Sequence, residues 1–281
     1  MNDQASVLRA TGRDRVRLVR DTPDPRDCPA IVIGSGKGGV GKSILAITMS
    51  VALARTGRRI LLVDGAQNLG NLHVLLGVRP EITPQALLHE DTEPEQLVMS
   101  VAPGLWLLPA DSGAETVQRL GATDRARLHR RMTAVFRNFD AVVIDAAAGL
   151  DGAVRCATLH ATRLVVVTVP EPAALTDAYA LMKVVHGQHS QLPFDVLVNR
   201  VQHDDEGTTA FSRLETATRR FLGRGLHFIG SVPEDPAMRA LACDPVALLD
   251  ADGTSVAQNA VRQITATCAM AWTTVAAEAT A

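Results

Sequence analysis

Gly34-Ser35-Gly36-Lys37-Gly38-Gly39-Val40-Gly41-Lys42-Ser43 is the stretch that decides how this chain folds. It contains the spacing Gly-x-x-x-x-Gly-Lys-Ser from Gly36 to Ser43, and it sits between an apolar run, Ala30–Ile33, and a segment with helical periodicity through Ile44, Ile47 and Ala54. Strand, glycine-rich loop and helix in that order make a phosphate cradle. Gly36, Gly38, Gly39 and Gly41, with Val40, let successive backbone N–H groups curl around phosphate oxygens, and the helix N-terminus adds a partial positive charge. Lys42 is placed to neutralise β- and γ-oxygens, and the Ser43 hydroxyl to ligate Mg²⁺.

Working outward, six further short apolar runs follow the first: Ile60–Val63, Leu105–Pro109, Ala141–Ile144, Leu164–Val169, Asp195–Val198 and His227–Ile229. They alternate with helical patterns, one of which places Ala178, Leu181, Met182 and Val185 on one face after a candidate N-cap at Thr176–Asp177. Near-continuous apolar strands separated by helices predict an α/β fold: a doubly wound, mostly parallel sheet of about seven or eight strands covered on both faces. Residues 1–28 are polar, rich in Arg and Asp, and closed by Pro23, Pro25 and, just beyond, Pro29, so they read as an N-terminal arm and linker ahead of a single domain spanning 29–281.

The 281 residues are 47% hydrophobic, enough for a real core, and 28 Lys+Arg against 30 Asp+Glu leave a formal charge of −2. No global field favours nucleic acid, so DNA binding is disfavoured, although the Arg55/Arg58/Arg59 and Arg125/Arg127/Arg130/Arg131 clusters keep a DNA- or cargo-positioning reading as the alternative. Cys28, Cys156, Cys243 and Cys268 are far apart and form no CxxC pair, which argues for reduced thiols rather than a metal ribbon or disulfide scaffold. No spanning or secretory segment is legible, so a cytoplasmic address is expected. Of the 28 basic residues, 25 are Arg and only Lys37, Lys42 and Lys183 are Lys. Two of the three lie in the phosphate loop, where a compact ammonium fits between oxygens and a planar guanidinium does not.

Phe139–Asp145 reads as a buried strand ending in a carboxylate, the placement that sets an acid beside a metal's water shell, so Asp145 is the second candidate metal residue after Ser43. Lys37-Gly38-Gly39-Val40-Gly41-Lys42-Ser43 resembles the deviant phosphate loop of the MinD/ParA family, whose first lysine reaches phosphates across a nucleotide-sandwiched dimer. The resemblance implies a P-loop NTPase fold of the SIMIBI type, ATP and Mg²⁺ as cofactors, an ATP-dependent homodimer, and catalytic roles for Lys37, Lys42, Asp64 and Asp145. Asp64-Gly65-Ala66-Gln67-Asn68-Leu69-Gly70-Asn71 is similar to the family's Asp-Ala-Asp-Leu-Gly-Leu-Ala-Asn switch, but the second Asp is Ala66. In the family that carboxylate holds the attacking water, so hydrolysis is expected to be slow or lost unless Gln67 or a partner substitutes.

Other stretches narrow the resemblance to the flagellar-number regulators of the FlhG/FleN type. Thr168–Lys183 is similar to their Glu-Pro…Thr-Asp-Ala-Tyr-Ala…Lys segment. Asn199 and the Gly230–Asp235 stretch look like the adenine-side segments, implying Asn199, Pro233 and Asp235 as nucleotide contacts with Asn199 reading the base. Asp3-Gln4-Ala5-Ser6-Val7-Leu8-Arg9 resembles the DQAxxLR motif that docks on an FlhF-type SRP GTPase, which assigns Asp3, Gln4, Ala5, Leu8 and Arg9 to partner binding. Flagellar switch components or a transcriptional regulator are further implied partners, and a polar or inner-membrane-peripheral position a further implied location. The amphipathic pattern from Val256 to Val275 carries one basic residue, Arg262, which favours core or dimer packing over membrane contact.

Overall fold

The computed structural model describes residues 28–66, 70–82, 84–89, 91–110, 121–147, 149–250 and 255–273. Eight strands form one sheet: β1 (Ala30–Gly34), β2 (Ile60–Gly65), β3 (Met99–Ala102), β4 (Leu105–Leu108), β5 (Ala141–Ala146), β6 (Arg163–Thr168), β7 (Phe194–Val201) and β8 (His227–Pro233), in the order β3-β4-β2-β5-β1-β6-β7-β8. Every neighbouring pair is parallel except β3–β4, which is antiparallel. The seven strands expected from the apolar runs are all present. The eighth, β3, is not legible in the sequence because Met99-Ser100-Val101-Ala102 is a four-residue edge strand with neither a long apolar run nor clean alternation.

Nine α-helices accompany the sheet among the described residues: α1 (Lys42–Ala54), α2 (Leu72–Leu75), α3 (Ala122–Ala134), α4 (Leu150–His160), α5 (Pro172–Gln188), α6 (Asp204–Leu222), α7 (Pro236–Leu241), α8 (Pro245–Leu249) and α9 (Val256–Thr273). The strand pleat sends alternate side chains to two separate cores. Val32, Leu61, Val142, Leu164 and Val196 pack under α3–α6. Ile31, Ile33, Leu62, Val143 and Val165 pack under α1 and α7–α9. Helix α5 begins at Pro172 with Glu171 as N-cap, earlier than the expected Thr176–Asp177 cap, because proline is pre-organised for the first helical position and lacks only an N–H that would be unbonded there. All four cysteines are free.

The carboxyl-terminal helix belongs to the fold. Ala257, Val261, Ile264, Cys268 and Trp272 of α9 are buried against the sheet face that also holds α1, whereas Val256 at its start is exposed. Its end is fixed at the amino end of the sheet, where the fully buried Asp195 accepts Trp272 Nε1–H at 2.8 Å on Oδ2, with Arg163 at 2.9 Å and His227 Nδ1 at 3.0 Å from Oδ1. Among the described residues no helix is long and apolar enough to cross a membrane.

Candidate nucleotide site

The winding direction changes at β1, which lies between β5 and β6. In open α/β sheets the crevice at the carboxyl ends of the strands beside such a point receives the ligand. Here that crevice is filled by the loop from Ser35 to Gly41, leading directly into α1. Gly39 and Gly41 have φ of 77° and 92°, and Gly41 is the N-cap of α1. A β-carbon on Gly41 would stand 2.5 Å from Asn199 Nδ2, and one on Gly36 2.2 Å from the Asp177 carbonyl oxygen, whereas Gly38 and Gly39 face open space. Two glycines thus allow the loop to pack on α5 and β7, and two leave its mouth clear. Ser35 Oγ–H donates to the Lys37 carbonyl at 2.8 Å and stiffens the turn.

Lys42 is buried, and its ammonium has only one hydrogen-bond partner among the described residues, Asp145 Oδ1 at the long distance of 3.5 Å. A buried cation held so loosely has donors to spare for an anion, and an open cradle of backbone N–H groups lies beside it, so the residues present fit a polyphosphate. Ser43 is near enough to Asp145 to hold its carboxyl down against the effect of burial, which places the two candidate metal residues side by side. No three His, Cys, Asp or Glu side chains converge among the described residues, so a divalent ion here would draw ligands from the nucleotide as well as from Ser43 and Asp145. Once bound, Mg²⁺ would neutralise charge on the phosphate oxygens, and Ser43 and Asp145 would hold and orient it.

Asp64 and Asp145 are register partners at the ends of β2 and β5. Burial pushes both carboxyls above the ordinary value of 3.8; the mutual negative charge adds to this at Asp145 while Lys42 opposes it, and backbone N–H bonds oppose it at Asp64. Asp64 accepts the N–H of Ala66 at 3.1 Å and of Leu72 at 3.0 Å, one on each oxygen, and so ties together the two ends of the switch loop. Ala66 itself presents no acceptor beyond its backbone, and Gln67 lies outside the described residues.

A raised carboxyl in the folded state has a definite sign. Its stabilising contribution is complete below the unfolded value and is lost as pH rises through the folded value. Asp145→Asn, which mimics the protonated form, is therefore expected to melt higher than the wild type at neutral pH without nucleotide, with the gap closing as pH falls into the ordinary carboxylate range. Circular-dichroism melts across pH check this; a variant less stable at neutral pH contradicts it.

Lys37 is half-exposed, and its Nζ lies 2.6 Å from Glu171 Oε2 at the N-cap of α5, where its hydrogen bond and charge hold the Glu171 carboxyl below the usual range. Asn199 is buried at the end of β7, its Nδ2–H donating to the Val40 carbonyl at 2.8 Å, so it buttresses the phosphate loop from below. Pro233 ends β8 beside Val201. Asp235 caps α7 through Ala237 N–H and accepts Ala257 N–H at the start of α9, and these backbone bonds, Ala237 foremost, lower its carboxyl pKa. Of these three residues Asn199 touches the loop, Pro233 pairs along β7 and Asp235 is engaged in helix capping. Glu171 was missed in the sequence, although its position directly before Pro172 marks a helix start beside the loop. Asp3, Gln4, Ala5, Leu8 and Arg9 lie outside the described residues.

Residues 31–254 match the model of the CobQ/CobB/MinD/ParA nucleotide binding domain. The chain is 34% identical over 209 residues to Antiactivator FleN of Pseudomonas aeruginosa, covering 74% of this chain and 75% of that protein. It is 30% identical over 211 residues to Flagellum site-determining protein YlxH of Helicobacter pylori, covering 74% and 71%. Among solved structures, the septum site-determining protein MinD complexed with Mg-ADP from Pyrococcus horikoshii matches with a TM-score of 0.68 at 25% identity, covering 85% of this chain and 94% of that one. With a complete phosphate loop, a second lysine in it, and this likeness along most of its length, the chain belongs to the MinD/ParA family of P-loop ATPases.

Proposed function

We propose that this protein is an ATP-operated dimerising switch that regulates flagellar number or placement. The likeness to FleN and YlxH over about three-quarters of the chain carries the reading. The Lys37–Glu171 pair supports it: a loop lysine held on a half-exposed surface ion pair is worth little in stability and is free to exchange partners. In this reading Mg²⁺·ATP occupies the cradle, Lys42 and the loop N–H groups hold the phosphates, Asn199 contacts the base, and Lys37 leaves Glu171 for the phosphates of a second copy. The closed dimer then offers a surface that the nucleotide-free chain lacks, so function resides in the populations of the two states. Because Ala66 cannot hold a water, the ATP state is long-lived.

The arm supplies the second contact, with Gln4 ordering a hydrolytic water in an FlhF-type GTPase. Two measurements test the proposal. Sedimentation with saturating Mg²⁺·ATP is expected to show a dimer, and a monomer under those conditions overturns the switch. Mixing the protein with its FlhF-like GTPase is expected to raise GTP turnover, with the gain lost in Gln4→Ala; unchanged turnover removes the GTPase partnership.

A further inference from the structure

Helices α5 and α6 run back from the carboxyl ends of β6 and β7, so their second halves lie away from the phosphate loop. There Phe221, in the last turn of α6, is 65% exposed, and its ring meets that of Tyr179, rooted midway along α5, edge-on with centroids 6.3 Å apart. A large ring left in water on a helix already packed on one side invites a partner.

The charges around this surface have one sign. Arg220 lies over the Phe221 ring at 5.2 Å, and Lys183, one turn beyond Tyr179, is exposed with no ion pair among the described residues, as is Arg213 about two turns before Arg220 on α6. The one carboxylate at this end of the two helices, Glu215, is already occupied by Arg219 Nε at 2.5 Å and by the Leu226 N–H. Arg224 turns its guanidinium to the Ser190 and Leu192 carbonyls, which leaves its charge uncompensated.

We infer that the α5–α6 surface centred on Phe221 and Tyr179 is a docking site for an acidic peptide segment of a protein partner that carries a bulky apolar anchor. Carboxylates of the segment pair with Lys183 and Arg220 while its anchor packs on the open edge of Phe221. A bilayer fits less well, since the guanidinium on the face of Phe221 would have to enter hydrocarbon with the ring. The arm of this chain fits less well too, because residues 1–27 hold six Arg against five Asp.

Panning a random-peptide phage library on the full-length protein, with synthetic copies of the enriched peptides measured by fluorescence anisotropy, tests this. Enriched peptides are expected to be acidic around one aromatic or long aliphatic residue. Phe221→Ala, Arg220→Glu and Lys183→Glu are each expected to weaken binding about tenfold or more, with melting and Mg²⁺·ATP affinity unchanged because these side chains are exposed and remote from the loop. No enrichment, peptides without acidic residues, or equal binding to the variants overturns the inference. So does a variant-sensitive interaction found instead with phosphatidylglycerol vesicles or as self-association in sedimentation, which would assign the surface to lipid or to a second copy.

Discussion

Ala66→Asp is expected to raise ATP turnover by about a hundredfold or more, the scale of contribution made by a residue that positions or deprotonates a nucleophile. The other residues of the proposed machinery are together: Lys42 faces Asp145, Ser43 lies beside Asp145, and Asp64 holds the loop in which residue 66 sits. In the proposed reading, an acceptor at position 66, directly after β2, is the missing part. The substitution adds a carboxylate near two carboxyls already raised by burial, so it works only with Mg²⁺ present to absorb the charge. Single-turnover phosphate release with excess Mg²⁺·ATP checks it, with Lys42→Ala as the background. A wild type that already turns over as fast as Ala66→Asp refutes both the expectation and the long-lived ATP state.

The second large effect concerns stability. Asp195 is completely buried, and Arg163, His227 and Trp272 converge on its two oxygens from β6, β8 and α9. Removing the acid strands a partly buried guanidinium and a buried indole N–H, so Asp195→Ala is expected to cost about 3–5 kcal/mol, the range seen when one member of a buried ion pair is deleted. Trp272→Phe keeps most of the packing and loses one hydrogen bond to a charged group, with an expected cost of about 1.5–3 kcal/mol. Urea unfolding monitored by far-UV circular dichroism, with an unchanged slope, measures both. An Asp195→Ala protein as stable as the wild type would show that the three donors find other partners. Because α9 also packs over α1, the helix that opens at the phosphate loop, the cluster anchors a structural support of the nucleotide site from the opposite end of the sheet.

The arginine bias acquires a physical basis from the same geometry. Arg131 reaches the Leu87, His89 and Thr92 carbonyls, and Arg224 bridges two carbonyls while stacking on Phe194 at 4.2 Å. A forked, planar donor can do both, and an ammonium cannot. Lysine is kept at Lys37 and Lys42 in the phosphate loop and, in the docking inference, at Lys183.

Taken alone, the order of residues determined whatever depends on near neighbours: the cradle from Gly36 to Ser43, seven strands and their parallel winding, and the absence of an acceptor at Ala66. The short edge strand β3 is not legible because its weak local preferences are settled by pairing with β4, whereas the start of α5 is set locally by Glu171-Pro172, a stronger signal than Thr176–Asp177. Tertiary structure alone decided that Asn199 supports Val40 from 159 positions away, that Glu171 holds Lys37 from 134 away, and that Trp272 closes on Asp195 from 77 away. Such contacts arise where strand ends and helix termini meet after the sheet has formed, and short-range spacing carries no information about which side chains will face one another there.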